Sequence, residues 1–144
     1  MKKDFQNWHA LKSKINSDDK QLLYRAQEVW WCSLGANVGV EADGKKDLFE
    51  RPVLVFRKFN KDMFWGIPMT SQKKDTQPFY FPVFLHSEEQ IIILSQLRVL
   101  SSKRLIRRLT KISDSQFSSL NNAIESYIKQ TDPLRGPRVP NGNK

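Results

Sequence analysis

The residues whose types and spacing could do chemistry begin with Arg51, Thr70 and Ser71. Two β-rich runs flank the polar turn Asn60-Lys61-Asp62, the pattern of a hairpin. In an antiparallel hairpin the start of the first run and the end of the second lie side by side. Pairing alone therefore brings a guanidinium and two hydroxyls to one edge of one sheet. A second concentration of charge follows. Arg98, Lys103, Arg104, Arg107, Arg108 and Lys111 fall within fourteen residues that contain no acid. Such a run is usually a solvated face. Coming directly after a buried strand it is held on a rigid scaffold, which suits it to tracking phosphates.

Other chemistries have no visible apparatus. There is no G-x-x-x-x-G-K-[ST], G-x-G-x-x-G, G-x-S-x-G, H-E-x-x-H or paired Asp-x-Asp. His9 and His86 are far apart and have no carboxylate or cysteine cluster beside them, so each reads as a surface histidine and no metal site is expected. Cys32 is the only cysteine, which rules out a disulfide framework and points to a reducing cytosol.

The elements that must position these groups are legible in part. Val53-Leu54-Val55-Phe56 is unbroken apolar, as in a strand covered on both faces. Residues 28–34 form an earlier strand in which Trp30 and Trp31 point to opposite faces, one into the core and one free to cover a partner or stack a base. Residues 79–85 have strand composition, and Pro82 marks an edge. Residues 90–97 read as a buried strand, Ser101 or Ser102 as the cap of a short helical turn, and residues 109–112 as a last small strand. Phe5, Trp8, Leu11 and Ile15 recur at helical spacing, so an N-terminal helix packs Phe5 and Trp8 on the body. Leu22-Leu23-Tyr24 reads as a short turn or linker. Ser113-Asp114-Ser115-Gln116 is a capping box, and Phe117, Leu120, Ile124, Tyr127 and Ile128 mark the face of a C-terminal helix that closes one side of the sheet. Residues 35–50 form a long polar loop, either a mobile lid or a disordered insertion. Residues 73–75 begin another loop, and residues 131–144 read as a disordered basic tail.

At 144 residues, 39% hydrophobic and 27% charged, the chain is one globular domain by default. Its net charge of +9 favours a polyanionic partner, nucleic acid before an anionic membrane surface. The N-terminal residues carry no secretory apolar region, and no apolar run approaches a membrane span.

Four segments, in order and spacing, resemble the MazF/PemK toxins of bacterial type II toxin–antitoxin modules: Glu28-Val-Trp-Trp-Cys-Ser-Leu-Gly, Arg51-Pro-Val-Leu-Val, Ile67-Pro-Met-Thr-Ser and Ser95-Gln-Leu-Arg-Val-Leu-Ser-Ser-Lys-Arg-Leu. The resemblance covers about residues 27 to 128. It divides the chain into an N-terminal helical extension (1–26), a toxin domain (27–130) and the basic tail (131–144). It implies an α+β fold, a small SH3-like antiparallel β-barrel of the CcdB/MazF kind with an N-terminal and a C-terminal helix. It also implies a homodimer, and a sequence-selective endoribonuclease that cuts single-stranded RNA at short sequences without metal or other cofactor, in keeping with a cytoplasmic setting. A cognate antitoxin, often acidic, blocks the site in that family.

Residue by residue, the resemblance makes Arg51 and Thr70 the catalytic pair. It places Glu41 where the family often has Gly-x-Glu, and matches Gln96 and Arg98 to Gln-hydrophobic-Arg. With the basic run and the strand ends, the expected substrate-binding set is Glu41, Ser71, Gln72, Gln96, Arg98, Arg104 and Arg108. In the implied reaction the RNA 2′-hydroxyl attacks the adjacent phosphate. Arg51 offers a forked donor for phosphoryl charge, Thr70 binds a phosphate oxygen or the attacking hydroxyl, and no general base is named. Some relatives on this fold poison DNA gyrase instead, and retention of Arg51 and Thr70 argues against that here. The apolar run 53–56 and the Trp30/Trp31 pair supply more apolar surface than a small barrel readily buries, a second reason to expect a dimer. This sequence departs from the family's pattern in its longer first loop, its N-terminal extension and Ser95 in place of a common Glu.

Overall fold

The computed structural model describes residues 2–72 and 76–129. The expected loop at residues 73–75 and the basic tail lie outside them.

The central hairpin forms as the sequence requires. Strand β2 (Glu50–Lys58) pairs antiparallel with β3 (Met63–Thr70), and Val53 faces Pro68. Asn60 makes the turn, its side-chain oxygen accepting from the backbone N–H of Asp62 and of Met63. Strand β1 (Glu28–Ser33) pairs with the other edge of β2, and β7 (Leu105–Lys111) pairs with β1. The free edge of β3 is divided. Its first half pairs with β6 (Arg98–Ser101), while Met69 and Thr70 pair with β5 (Glu88–Ile93), itself paired with the edge strand β4 (Tyr80–Leu85). One strand with two partners along one edge curls the sheet into an antiparallel half-barrel. With helices α1 (Phe5–Ser17) and α2 (Asp114–Ile128), this is the expected α+β fold.

The same division explains a misread boundary. The apolar run 90–97 leaves the sheet at Ile93 and makes a 3-10 turn at Leu94–Gln96. The chain must turn there, because β5 and β6 share an edge of β3. Strand β6 lies just beyond that run, in the first residues of the basic segment. Ser101 does cap a short turn, Ser102–Arg104, accepting from the N–H of Lys103.

Each face of β2 carries its own core. Val53 and Val55 join Tyr24, Trp30, Phe64 and Leu105 on one side, whereas Leu54 joins Val29, Ile67, Ile92 and Leu120 on the other. This corrects the apolar-excess argument for a dimer. Val53, Leu54 and Val55 are fully buried and Trp30 nearly so within the chain itself. Among the large apolar residues left exposed, Met63 and Trp65 of β3 and Val99 of β6 accompany Phe59. Tyr24, in the segment that reads as a short turn or linker, is fully buried, its hydroxyl donating to the Asn60 carbonyl at 2.7 Å.

The helices seat only part of their apolar stripes. Ser113 caps α2, accepting from the Gln116 N–H at 3.2 Å, and Leu120 and Ile124 are buried. Phe117 meets Phe56 at 6.0 Å, but Tyr127 and Ile128 remain exposed. On α1 Trp8 is buried, while Phe5, expected to pack with it, is 52% exposed. Asp4 caps that helix through the Asn7 N–H. No helix among the described residues is long and apolar enough to cross a membrane.

Candidate active site

The register of the hairpin sets the site. Two residues beyond the Val53–Pro68 pair, Arg51 and Thr70 stand at the open end of β2 and β3. Both line a cleft of about 470 Å³ together with Ser71. Its walls also draw on Trp31 of β1, Glu50 and Pro52 of β2, Leu109 of β7, Lys45 and Lys46 of the first loop, and His86 and Glu88 where β4 turns into β5. That turn reaches the hairpin mouth because β5 pairs with Thr70, opposite Ile91.

Arg51 is held, not merely present. Its Nε donates to the Asp43 carbonyl, and one Nη donates to the Met69 carbonyl at 3.1 Å. These bonds fix the guanidinium as a partition. On its far side lies a second cavity of about 560 Å³, bordered by Glu41, Asp43, Tyr80, Ser95 and Gln96. Burial lowers the Arg51 pKa from its ordinary value, and the charge of Asp43 opposes that shift. The group stays cationic at neutral pH, with its charge less quenched by water. The Thr70 Oγ accepts from the Gln72 N–H at 3.1 Å, which shapes the turn out of β3 and leaves the hydroxyl proton able to donate. Arg107 sits 5.0 Å over the Trp31 ring and forks onto both oxygens of Glu50 at 3.2 Å.

The other expected site residues divide by place. Ser71 shares the cleft with Arg51 and Thr70, and Gln72 is exposed just beyond them. Glu41 and Gln96 border the second cavity, but both are tied to the first loop. Gln96 accepts from the Ala42 N–H and donates to the Val40 carbonyl, both at 3.0 Å, and Glu41 accepts from the Val38 N–H. Arg98 lies beside Glu41 and Gln96 at a smaller cavity.

The basic run is not one surface, since successive strand residues point to opposite faces. Arg104 donates to the Ser33 and Leu34 carbonyls at 2.9 and 3.2 Å and lies 5.8 Å over the Trp8 ring. Burial lowers its pKa, and the like charge of Arg98 adds to the shift. Arg108 pairs with Glu28 at 3.1 Å, and Lys103 donates to the Asn16 carbonyl at the end of α1. Sequence reasoning missed Glu50, His86 and Glu88 as neighbours of Arg51, and reached Lys45 and Lys46 only through the lid reading of their loop. His86 is exposed, as expected of a surface histidine, yet it lines the cleft.

The first loop is a hydrogen-bonded structure rather than an open insertion. Asp43 accepts from the Asn37 N–H at 2.6 Å, the Asn37 side chain donates to the Leu34 and Ala42 carbonyls, and Gly44 donates to Gly35. Among the described residues no three His, Cys, Asp or Glu side chains are grouped to hold a metal ion.

Comparison with known proteins agrees with this geometry. Residues 25–128 match the family described as PemK-like, MazF-like toxin of type II toxin-antitoxin system. The crystal structure of MazF (Form-I) from Deinococcus radiodurans superposes with a TM-score of 0.61 at 18% identity, over 74% of this chain and 97% of that one. An endoribonuclease in complex with its cognate antitoxin, from Mycobacterial species, gives 0.57 at 13% identity, over 77% and 100%. The Mycobacterium tuberculosis toxin MazF-mt6 gives 0.53 at 16%, over 70% and 95%. No curated protein matches significantly. With most of its length matched to the family model and the family's fold in place, the chain belongs to the PemK-like, MazF-like toxins of type II toxin–antitoxin systems.

Proposed function

We propose that this toxin is an endoribonuclease that cuts single-stranded RNA without a metal ion, through Arg51 and Thr70. The observation that carries the reading is the cleft itself, which a fixed guanidinium and a hydroxyl able to donate line together with Lys45 and Lys46. The family membership and the mycobacterial neighbour, an endoribonuclease, support it. The RNA 2′-hydroxyl attacks the adjacent phosphorus, the bond to the 5′-oxygen breaks, and the products end in a 2′,3′-cyclic phosphate and a 5′-hydroxyl. Arg51 stabilises charge on the phosphoryl oxygens, more strongly for being partly buried. Thr70 donates to one of those oxygens or orients the attacking hydroxyl. His86 and Glu88 line the same cleft and are the groups proposed to manage the two protons. Arg51 is a donor of protons only second, despite its lowered pKa.

Mixed single-stranded RNA incubated with the purified protein in EDTA should be cut to cyclic-phosphate ends. Intact RNA under those conditions would turn the reading towards a non-catalytic toxin on the same fold. The cytoplasm, where RNA and a cognate antitoxin meet it, is the proposed setting. The net charge of +9 suits an acidic antitoxin.

A second copy of the chain is the proposed cover for the exposed β3–β6 face. Trp65 stands opposite Val99 there, and Phe59 meets Trp65 edge-on at 5.1 Å. Sedimentation at micromolar concentration should show a dimer that Trp65→Asp weakens at least tenfold. A wild-type monomer with full cleavage would remove the second copy from the mechanism.

A further inference from the structure

Helix α1 precedes the residues matched to the family, yet it grips the loop that holds Arg51. Trp8 is wedged into the neck of that loop. A Cβ on Gly35 would stand 2.1 Å from its ring, so only glycine lets the backbone lie this close, and at a φ of +89°. Phe49, at the other end of the loop, meets the Trp8 ring at 5.5 Å. The two ends are themselves joined, since the Phe49 carbonyl accepts from the N–H groups of Leu34 and Gly35. Ahead of the helix, the Lys3 ammonium donates to the Asn37 and Gly39 carbonyls at 2.6 and 2.9 Å and meets the Asp43 carboxylate at 3.1 Å. Asp43 in turn accepts from Arg51 Nε through its carbonyl. An unbroken line of contacts thus runs from residue 3 to the guanidinium.

We infer that residues 2–17 form a built-in strut for the active site, in which Lys3 and Trp8 hold the first loop closed and Lys3 acts as a positioning residue for Arg51. The inference rests on the reading of Arg51 as catalytic. The geometry favours this over a passive appendage. Three acceptors from different parts of the loop converge on one ammonium, and one of the residues supplying them also holds the guanidinium. A long cationic side chain with several N–H donors can reach all three acceptors, a property that arginine shares and methionine lacks. Without it the carbonyls of Asn37 and Gly39 and the Asp43 carboxylate are left to water, and the loop tip opens. Misplacing a group at the reacting phosphate by about 1 Å can cost roughly a hundredfold in rate.

The test uses the full chain carrying Lys3→Met or Lys3→Arg. Without RNA, hydrogen exchange of the Arg51 Nε–H and of the Gly44 amide is followed by NMR. Lys3→Met should speed both by about tenfold or more, Lys3→Arg should restore protection, and the melting temperature should stay within a degree or two, roughly, because Lys3 is partly exposed at the surface. With RNA, Lys3→Met should lower kcat by roughly tenfold with KM nearly unchanged, and Lys3→Arg should recover it. Unchanged exchange at both protons in Lys3→Met overturns the strut. So does a fall in kcat that tracks a fall in melting temperature and is not rescued by Lys3→Arg, the mark of a general stability role. Should the wild-type protein leave RNA intact, the nuclease reading fails while the exchange measurement still decides whether Lys3 holds Arg51.

Discussion

Arg51→Ala is expected to lose RNA cleavage by about a hundred- to a thousandfold, the usual cost of deleting a donor to transition-state charge, while the chain stays folded. Both parts follow from where the side chain ends. Its bonds go to two backbone carbonyls, Asp43 and Met69, at the border of an open cleft. Water can replace them, so truncation costs about 1 kcal/mol rather than the several expected of a core cavity. Lysine is a poor substitute. It keeps a charge but cannot reach two carbonyls and a phosphate from one planar fork, so Arg51→Lys should retain less than about a tenth of the rate. Single-turnover cleavage with a thermal melt on the same preparation separates activity from folding. A folded Arg51→Ala protein that cuts at the wild-type rate would remove Arg51 from the site.

Gly44→Ala should be worse for the molecule, although it touches no substrate. A Cβ at Gly44 would lie 1.6 Å from the Phe49 carbonyl oxygen and 2.0 Å from its carbon. Those are backbone atoms, fixed by bonds from Leu34 and Gly35, and they cannot rotate away as a side-chain tip could. The strand-like bridge between Lys45 and Glu50 must therefore part. The cost should be about 2–4 kcal/mol, in the range of overpacking with loss of backbone hydrogen bonds. Opening the loop there also carries the Asp43 carbonyl away from Arg51. Urea denaturation and cleavage assays should both register the change. A Gly44→Ala protein with wild-type stability would mean that the loop is not held by this close approach.

The hairpin was legible because its signal is local: a polar turn between β-rich runs leads to register, and register places Arg51 beside Thr70. The C-terminal helix was legible for the same reason, since Ser113 and the stripe after it lie within one short segment. The rest depends on pairings distant in sequence. His86 sits two residues from Glu88, but only the β5–β3 pairing brings that turn over the hairpin mouth. Tyr24 follows Leu22 and Leu23 in a segment too short to show a period and reads as a turn or linker, yet Phe64 meets it at 5.2 Å and it is fully buried. Fourteen residues of basic run gave a charge pattern without a face. The alternation along β7 and the turn at Ser102–Arg104 send Arg104 under Trp8, Arg107 to Trp31 and Arg108 to Glu28. Lys3 carries no local signal at all, because its partners lie 34 to 40 residues away.

The chemistry proposed for the cleft makes the RNA its own nucleophile, and that can be tested on the substrate. Once a cut site is mapped, a synthetic strand carrying a single 2′-deoxy nucleotide on the 5′ side of the scissile phosphate is offered to the wild-type protein in EDTA. Cleavage at that position should vanish, with cutting at other sites unchanged and binding weakened by no more than a few-fold. A 2′-deoxy strand cut at the same bond and the same rate would contradict 2′-hydroxyl attack, and with it the roles assigned to Arg51 and Thr70.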